Sequence, residues 1–230
     1  MNHPNHAAQH PPVNAFTADS KEYAHFLKLD DEKRERILAA AYGEFLANSY
    51  SEASTNTITK NASISKGLLF HYFGSKEGLY KFLLNESARQ IAGAALPDLP
   101  SQSGDVFALV KTMIQLKITV CIQFPRETNF LIAAWAANLP ESLSKERKSM
   151  FGMSRHYLDN IVGLLDSRLL RDGVDKNVAA EIITWVWEKY TDKLLANGTI
   201  TTTTESWNRV AEDMEKYMDV LRCGLYRQPS

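Results

Sequence analysis

The chain has 230 residues, 44% hydrophobic and 23% charged, with 26 Lys and Arg against 27 Asp and Glu for a formal net charge of −1. That length holds one large domain or two small ones, and the charge balance excludes a global basic field, so any DNA-binding face has to be local. An apolar run such as Leu131 to Ala137 falls far short of the roughly 20 residues of a bilayer crossing. The first Lys is Lys21 and no apolar h-region precedes it, so neither secretion nor a membrane partner is expected. Cys121 and Cys223 lack metal-ligand spacing and fit a reducing cytosol.

Residues 1–29 read as an N-terminal extension. Up to residue 20 it is poor in hydrophobes and carries Pro4, Pro11 and Pro12 with His3, His6 and His10, so it buries too little apolar area to offset ordering entropy and is expected to be a solvated tail. Tyr23, Phe26, Leu27 and Leu29 then predict a short amphipathic turn docking on the next helix. That helix starts at Asp30, a capping residue followed by Asp31 and Glu32 at the positive dipole end. It continues through Ile37, Leu38, Ala41, Phe45 and Leu46 at helical spacing and stops at Asn48-Ser49. Ser54 and Thr55 open a short helix anchored by Ile58 and Ala62. Ser65 opens another with Leu68, Leu69 and Phe73 inward. Ser75 caps a fourth, with Leu79, Phe82 and Leu83 on one face. Pro97 and Pro100 separate this first unit from the rest. Further helices are predicted at about 102–124, 126–138, 141–171, 175–197 and 203–224, and the β-branched stretch from Ile200 reads as a loop ending in a cap. The expected fold is all-α, with about nine helices in a 30–85 domain and a larger 86–230 domain.

The stretch from Ser54 to Tyr80 carries the chemistry. A short helix, the turn Ala62-Ser63-Ile64 and a second short helix make a helix-turn-helix. Ile58, Ala62, Ile64, Leu69 and Phe73 lock the pair, which leaves Ser65, Lys66, Gly67, Phe70, His71 and Tyr72 outward. Between Ser54 and Lys81 four lysines (Lys60, Lys66, Lys76, Lys81) face one acid, Glu77. This is a local basic patch of the kind that attracts a phosphate backbone.

These residues resemble the TetR family of bacterial transcriptional regulators. The run R-I-L-A-A-A-Y-G-E-F at 36–45 is similar to the family's first helix, and A-x-I-S-K-G-L-L-F-H-Y-F-x-S-K-E-x-L at 62–79 to its helix-turn-helix; the likeness covers roughly 30–85. The family usually has Gly where this chain has Ser49 and Ser63, and Phe70-His71-Tyr72-Phe73 shifts the family's imidazole by one position. A serine in the turn at position 63 is expected to be strained if φ is positive there. The resemblance implies that Thr55, with Asn56 beside it, meets a phosphate at a helix N-terminus. Ser65, Lys66, Gly67 and Phe70 would face the major groove, with Gly67 permitting close backbone approach, Phe70 meeting a thymine methyl and Lys66 donating to guanine. His71, Tyr72 and Lys76 would hold phosphates. No catalytic residue, metal or cofactor is implied.

Helix-turn-helix proteins double up on palindromes, so a homodimer on a double-stranded DNA operator is expected. Trp207, Val210, Ala211, Met214, Tyr217, Met218, Leu221 and Leu225 recur at helical spacing. The preceding helix spreads Val178, Ile182, Ile183, Val186, Trp187, Tyr190 and Leu194 over a broad arc that serves two neighbours. In the family the last two helices form a four-helix dimer interface, which assigns Val186, Trp187, Tyr190, Trp207, Val210, Met214, Tyr217, Met218 and Leu221 to it; the same stripes also suit an internal core. The family also encloses an effector site, for which Phe107, Met113, Trp135, Met153, His156, Tyr157, Trp185 and Lys189 are candidates and an apolar or aromatic small molecule is the expected ligand. The reading is a ligand-responsive, cytoplasmic, bacterial repressor, nucleoid-associated when bound. Two others compete with it. One is a helical interaction module whose helix-turn-helix no longer binds DNA. The other is an all-α enzyme using His156 or His71, against which stands the lack of any HExxH, CxxC, phosphate-binding glycine loop or nucleophile–base pair.

Overall fold

A computed structural model of the chain describes residues 22–95, 104–196 and 203–227. The readings of the tail, of Pro97 and Pro100, and of Ile200 to Thr202 lie outside these. The described residues form ten α-helices: α1 (Ala24–Leu27), α2 (Asp31–Ala47), α3 (Thr55–Asn61), α4 (Lys66–Phe73), α5 (Lys76–Ala95), α6 (Val106–Gln123), α7 (Pro125–Ala136), α8 (Glu141–Gly163), α9 (Lys176–Ala196) and α10 (Thr204–Leu225). Caps fall where polar side chains were read as caps. Asp30 accepts from the Lys33 N–H, Ser54 from Thr57, Ser65 from Leu68 and Thr203 from Ser206. The turn expected at 20–29 is α1. The long helix expected to reach residue 171 stops at Gly163 instead, and a single 3-10 turn, Ser167–Leu169, follows, capped by the Asp166 carboxylate.

The helices sort into two compact units whose borders differ from a cut at residue 85. One unit runs to Gly93 and takes in Phe124–Phe151; the other holds Ala94–Gln123 and the chain from Gly152 on. The reason lies in α7. Its Phe130 is 1% exposed and meets Tyr42, Tyr80 and Phe45 at ring-centroid distances of 5.2, 5.0 and 6.4 Å, so an apolar anchor distant in sequence completes the core of the early helices. Arg126 on the same helix stacks over the Tyr42 ring at 4.8 Å and pairs with Glu35 of α2 and with its buried neighbour Glu127. Burial of this cluster pushes the Tyr80 phenol up to about 12.

In the second unit α10 packs on α6 and α9. The ends of the unit are tied by the buried Tyr226, whose hydroxyl accepts from the Val106 N–H at 3.2 Å and whose ring meets Phe107 at 4.9 Å. Arg222 pairs with Asp105 at 2.9 Å and Lys111 with Glu215 at 3.0 Å. By length and composition α6 is long and apolar enough to cross a membrane, although Lys111 and Lys117 interrupt its apolar sequence. Here its Val106, Val110, Ile114 and Ile118 are buried.

Part of the expected dimer stripe lies inside the chain. Tyr190, Trp207, Met214 and Met218 are buried within the single chain, so the regular spacing on α10 marks its packing on α6 and α9. Val186, Trp187, Val210 and Leu221 are half-buried, and of the nine residues assigned to the interface only Tyr217 is exposed. Among the described residues of α9 and α10, the large apolar side chains that stand exposed are Val178, Trp185, Tyr217 and Val220, at 52, 58, 44 and 72%.

Candidate nucleic-acid interface

Residues from both halves of α2 hold the two ends of α3 in place. Near its beginning, the buried Glu44 carboxylate accepts the Ser54 N–H at 2.7 Å. At its end, the Arg36 guanidinium donates to the Ala62 carbonyl at 2.9 Å. An acid at the positive end and a base at the negative end complement the α3 dipole. Both partners were missed in the sequence. Glu44 had a signal, because it lies seven residues from Ile37 and so on the apolar face of α2. Such a residue is buried only with a partner.

The turn between α3 and α4 closes as a Schellman motif. The Ser63 N–H donates to the Lys60 carbonyl at 3.2 Å and the Ile64 N–H to Thr59 at 3.0 Å. Ser63 takes φ +53°, the left-handed conformation the sequence pointed to, and among the described residues no other non-glycine has positive φ. Ser63→Gly removes the Cβ strain and is expected to raise stability by about 0.5 kcal/mol, after the added chain entropy of glycine. A urea midpoint at or below that of the parent would contradict this.

From this frame α4 projects with Leu69 and Phe73 buried, at 1 and 4% exposure, and Ser65, Lys66, Gly67 and His71 exposed. Phe70 is half-buried, with the Lys66 ammonium 5.9 Å above its ring. Asn56 is exposed and Thr55 half-buried at the start of α3. Thr55 and Phe70 share the wall of an open depression of about 530 Å³ with Glu52, Ser54, Gly74, Ser75 and Lys76. A Cβ built on Gly67 would meet nothing within 4 Å, so the space above this residue is open.

Two of the expected phosphate contacts are otherwise employed. Tyr72 is buried at 7% exposure, because α1 lays Phe26 against it at 5.8 Å; the likeness that guided its assignment does not reach α1. The Lys76 ammonium donates to three carbonyls, Tyr50 at 2.8 Å, Ser51 at 3.2 Å and Ala53 at 3.1 Å, and sits 4.8 Å above the Tyr50 ring. It fastens the loop between α2 and α3. Lys76→Met keeps the stem but loses these charge-assisted bonds. An expected cost of about 2 kcal/mol, read by urea unfolding, follows from bonds to a charged group, where a mere phosphate contact would leave stability unchanged.

The described effector candidates are divided between the two units. Trp135 belongs to the first unit, where its carbonyl accepts from Arg147 at 2.8 Å, while Phe107, Met113, Trp185 and Lys189 belong to the second. Phe107 is buried against Tyr226, Trp185 points outward, and the exposed Lys189 pairs with Asp192 at 3.2 Å. The side chains of Met153, His156 and Tyr157 lie outside those described.

Residues 37–82 match the family model described as bacterial regulatory proteins, tetR family. The chain is 28% identical over 160 residues to the HTH-type transcriptional regulator PksA of Bacillus subtilis, covering 67% of this chain and 75% of PksA. It is 37% identical over 59 residues to the regulator BetI of Stenotrophomonas maltophilia, 26% of this chain and 28% of BetI. Among solved structures, a TetR family regulator from Chloroflexus aurantiacus superposes with a TM-score of 0.60 at 22% identity, over 89% of this chain and 98% of that one. NalD, the secondary repressor of the MexAB-OprM multidrug efflux pump in Pseudomonas aeruginosa, superposes with a TM-score of 0.60 at 16% identity, over 87% and 100%.

Proposed function

Because the chain belongs to the TetR family of bacterial regulatory proteins, we propose that it is a repressor that binds a palindromic operator as a homodimer and is released by a small-molecule effector, acting in the cytoplasm. The observation that carries this reading is the division of α4. Its apolar side is buried, while Ser65, Lys66, Gly67 and His71 stand exposed on a helix short enough to lie in a major groove. Lys66 and Gly67 read base edges, and the N-terminus of α3, with Thr55 and Asn56, takes a phosphate. Pairing through α9 and α10 presents two copies of α4 to successive half-sites. An apolar or aromatic effector then favours a state in which the two copies no longer match the grooves, by as much as its affinity differs between the two states.

The test is titration of the DNA upstream of the chain's own gene over a salt series. A repressor gives log–log affinity falling by roughly 0.9 per neutralised phosphate. Lys66→Ala is expected to weaken the cognate site by about 1–3 kcal/mol and to relax the choice of base at one position. Equal, weak binding to every duplex would instead favour a partner-binding module.

A further inference from the structure

Among the described residues, two exposed imidazoles from distant parts of the sequence lie beside each other, mutually tilted, at α4. His25 of α1 and His71 of α4 have ring centroids 5.0 Å apart with planes at 51°. The helices that carry them are fixed from beneath, because Phe26, fully buried beside His25, packs on Tyr72 at 5.8 Å and on Phe73 at 4.8 Å, the two residues after His71. The two backbone positions are therefore held at a fixed spacing by their buried neighbours, while the rings themselves are exposed.

The spacing has a chemical meaning. A zinc–imidazole bond of about 2.0 Å and tetrahedral angles place two ligating rings with centroids about 5 Å apart. Imidazole suits zinc, nickel and copper among divalent ions. Among the described residues no group of three or more His, Cys, Asp or Glu is placed to hold a metal, so two protein ligands leave positions open to water or an anion. We propose that His25 and His71 form a two-imidazole site for a divalent transition ion, zinc by preference, and that the ion strengthens operator binding. The second half rests on the DNA-binding reading above. A divalent charge on the exposed edge of α4 faces the phosphates that this helix approaches, and an open coordination position accepts a phosphate oxygen. The ion also fastens α1 to α4. Linkage is reciprocal, so operator DNA tightens zinc binding by the same factor.

Zinc titrated into the full-length protein without DNA tests the site. The imidazole nitrogens of His25 and His71 should shift in nitrogen-edited NMR. One zinc per chain should be lost in His25→Ala and in His71→Ala, and kept in His6→Ala; both ligands are exposed, so these variants should retain their fold. Unshifted His25 and His71 rings, or zinc stoichiometry equal in all four proteins, would overturn the site. Operator affinity measured with zinc and with a chelator tests the coupling. The expected gain is about fivefold in the parent, in line with a modest coupling energy, and none in His25→Ala. Equal affinity in zinc and in chelator overturns the coupling. Absence of DNA binding under both conditions overturns the repressor reading and the coupling together, while zinc stoichiometry and ring shifts still report on the site.

Discussion

Gly78→Ala is expected to destabilise the first unit by about 3 kcal/mol or more, although alanine favours a helix over glycine by roughly 1 kcal/mol. Gly78 lies in the first turn of α5, and a Cβ there would sit 2.0 Å from the Phe73 carbonyl oxygen and 3.2 Å from its carbon. These are backbone atoms at the end of α4 and cannot rotate away. The corner is fully committed around them. Gly74 takes φ +70°, the Ser75 N–H donates to Phe73 at 2.7 Å, and the Ser75 hydroxyl accepts from the Gly78 N–H at 2.9 Å. Relief of the clash must move α4 relative to α5. Gly67→Ala is the control, since a Cβ there meets nothing. It is expected to gain up to about 1 kcal/mol from helix propensity and yet lose DNA affinity. Urea unfolding read beside operator binding checks both. A Gly78→Ala midpoint equal to the parent's would show that the corner is slack.

Trp185→Glu combined with Val220→Glu is expected to convert the proposed dimer to monomer without loss of fold. Trp185 is 58% and Val220 72% exposed in the single chain, so neither charge disturbs an internal contact. Symmetry presents each substitution twice. Two copies of a tryptophan anchor at about 2 kcal/mol each weaken association by roughly a thousandfold. Sedimentation should report the monomer, and operator affinity should fall with it. Met214→Ala should do the reverse. Its side chain is 3% exposed, so it is expected to cost about 2–5 kcal/mol of unfolding free energy and leave the association constant little changed. An undisturbed dimer in the double variant would move the interface elsewhere.

The two outcomes mark where the sequence is informative. Helices α2 to α5 are legible because capping residues, breakers and apolar spacing are local signals, and even the strained turn at Ser63 follows from a residue standing where glycine is usual. The outward set on α4 is legible for the same reason, apart from Tyr72. Its burial depends on Phe26 of a four-residue helix forty-six positions earlier, and no period within α4 records that. Lys76 reads as one more surface cation until three carbonyls from another loop are seen around it. The interface stripe is ambiguous for a different cause. Periodicity on α10 reports that one face is buried, but a partner chain and the chain's own α6 leave the same mark. Trp185 was assigned to a pocket on its size and aromatic character, which say nothing of the direction in which a helix turns it.

The placement of Phe130 bears on how this protein could be recombined. The chain leaves the first unit after α5, builds α6 into the other, and then returns with α7 to complete the aromatic cluster around Tyr42 and Tyr80. A chimera joined at residue 85 would therefore carry a head that lacks one of its rings, and would borrow from the foreign body whatever side chain occupies that place. Grafts that keep the early helices together with 124–151 preserve the cluster, so the exchangeable module in this architecture is discontinuous along the gene.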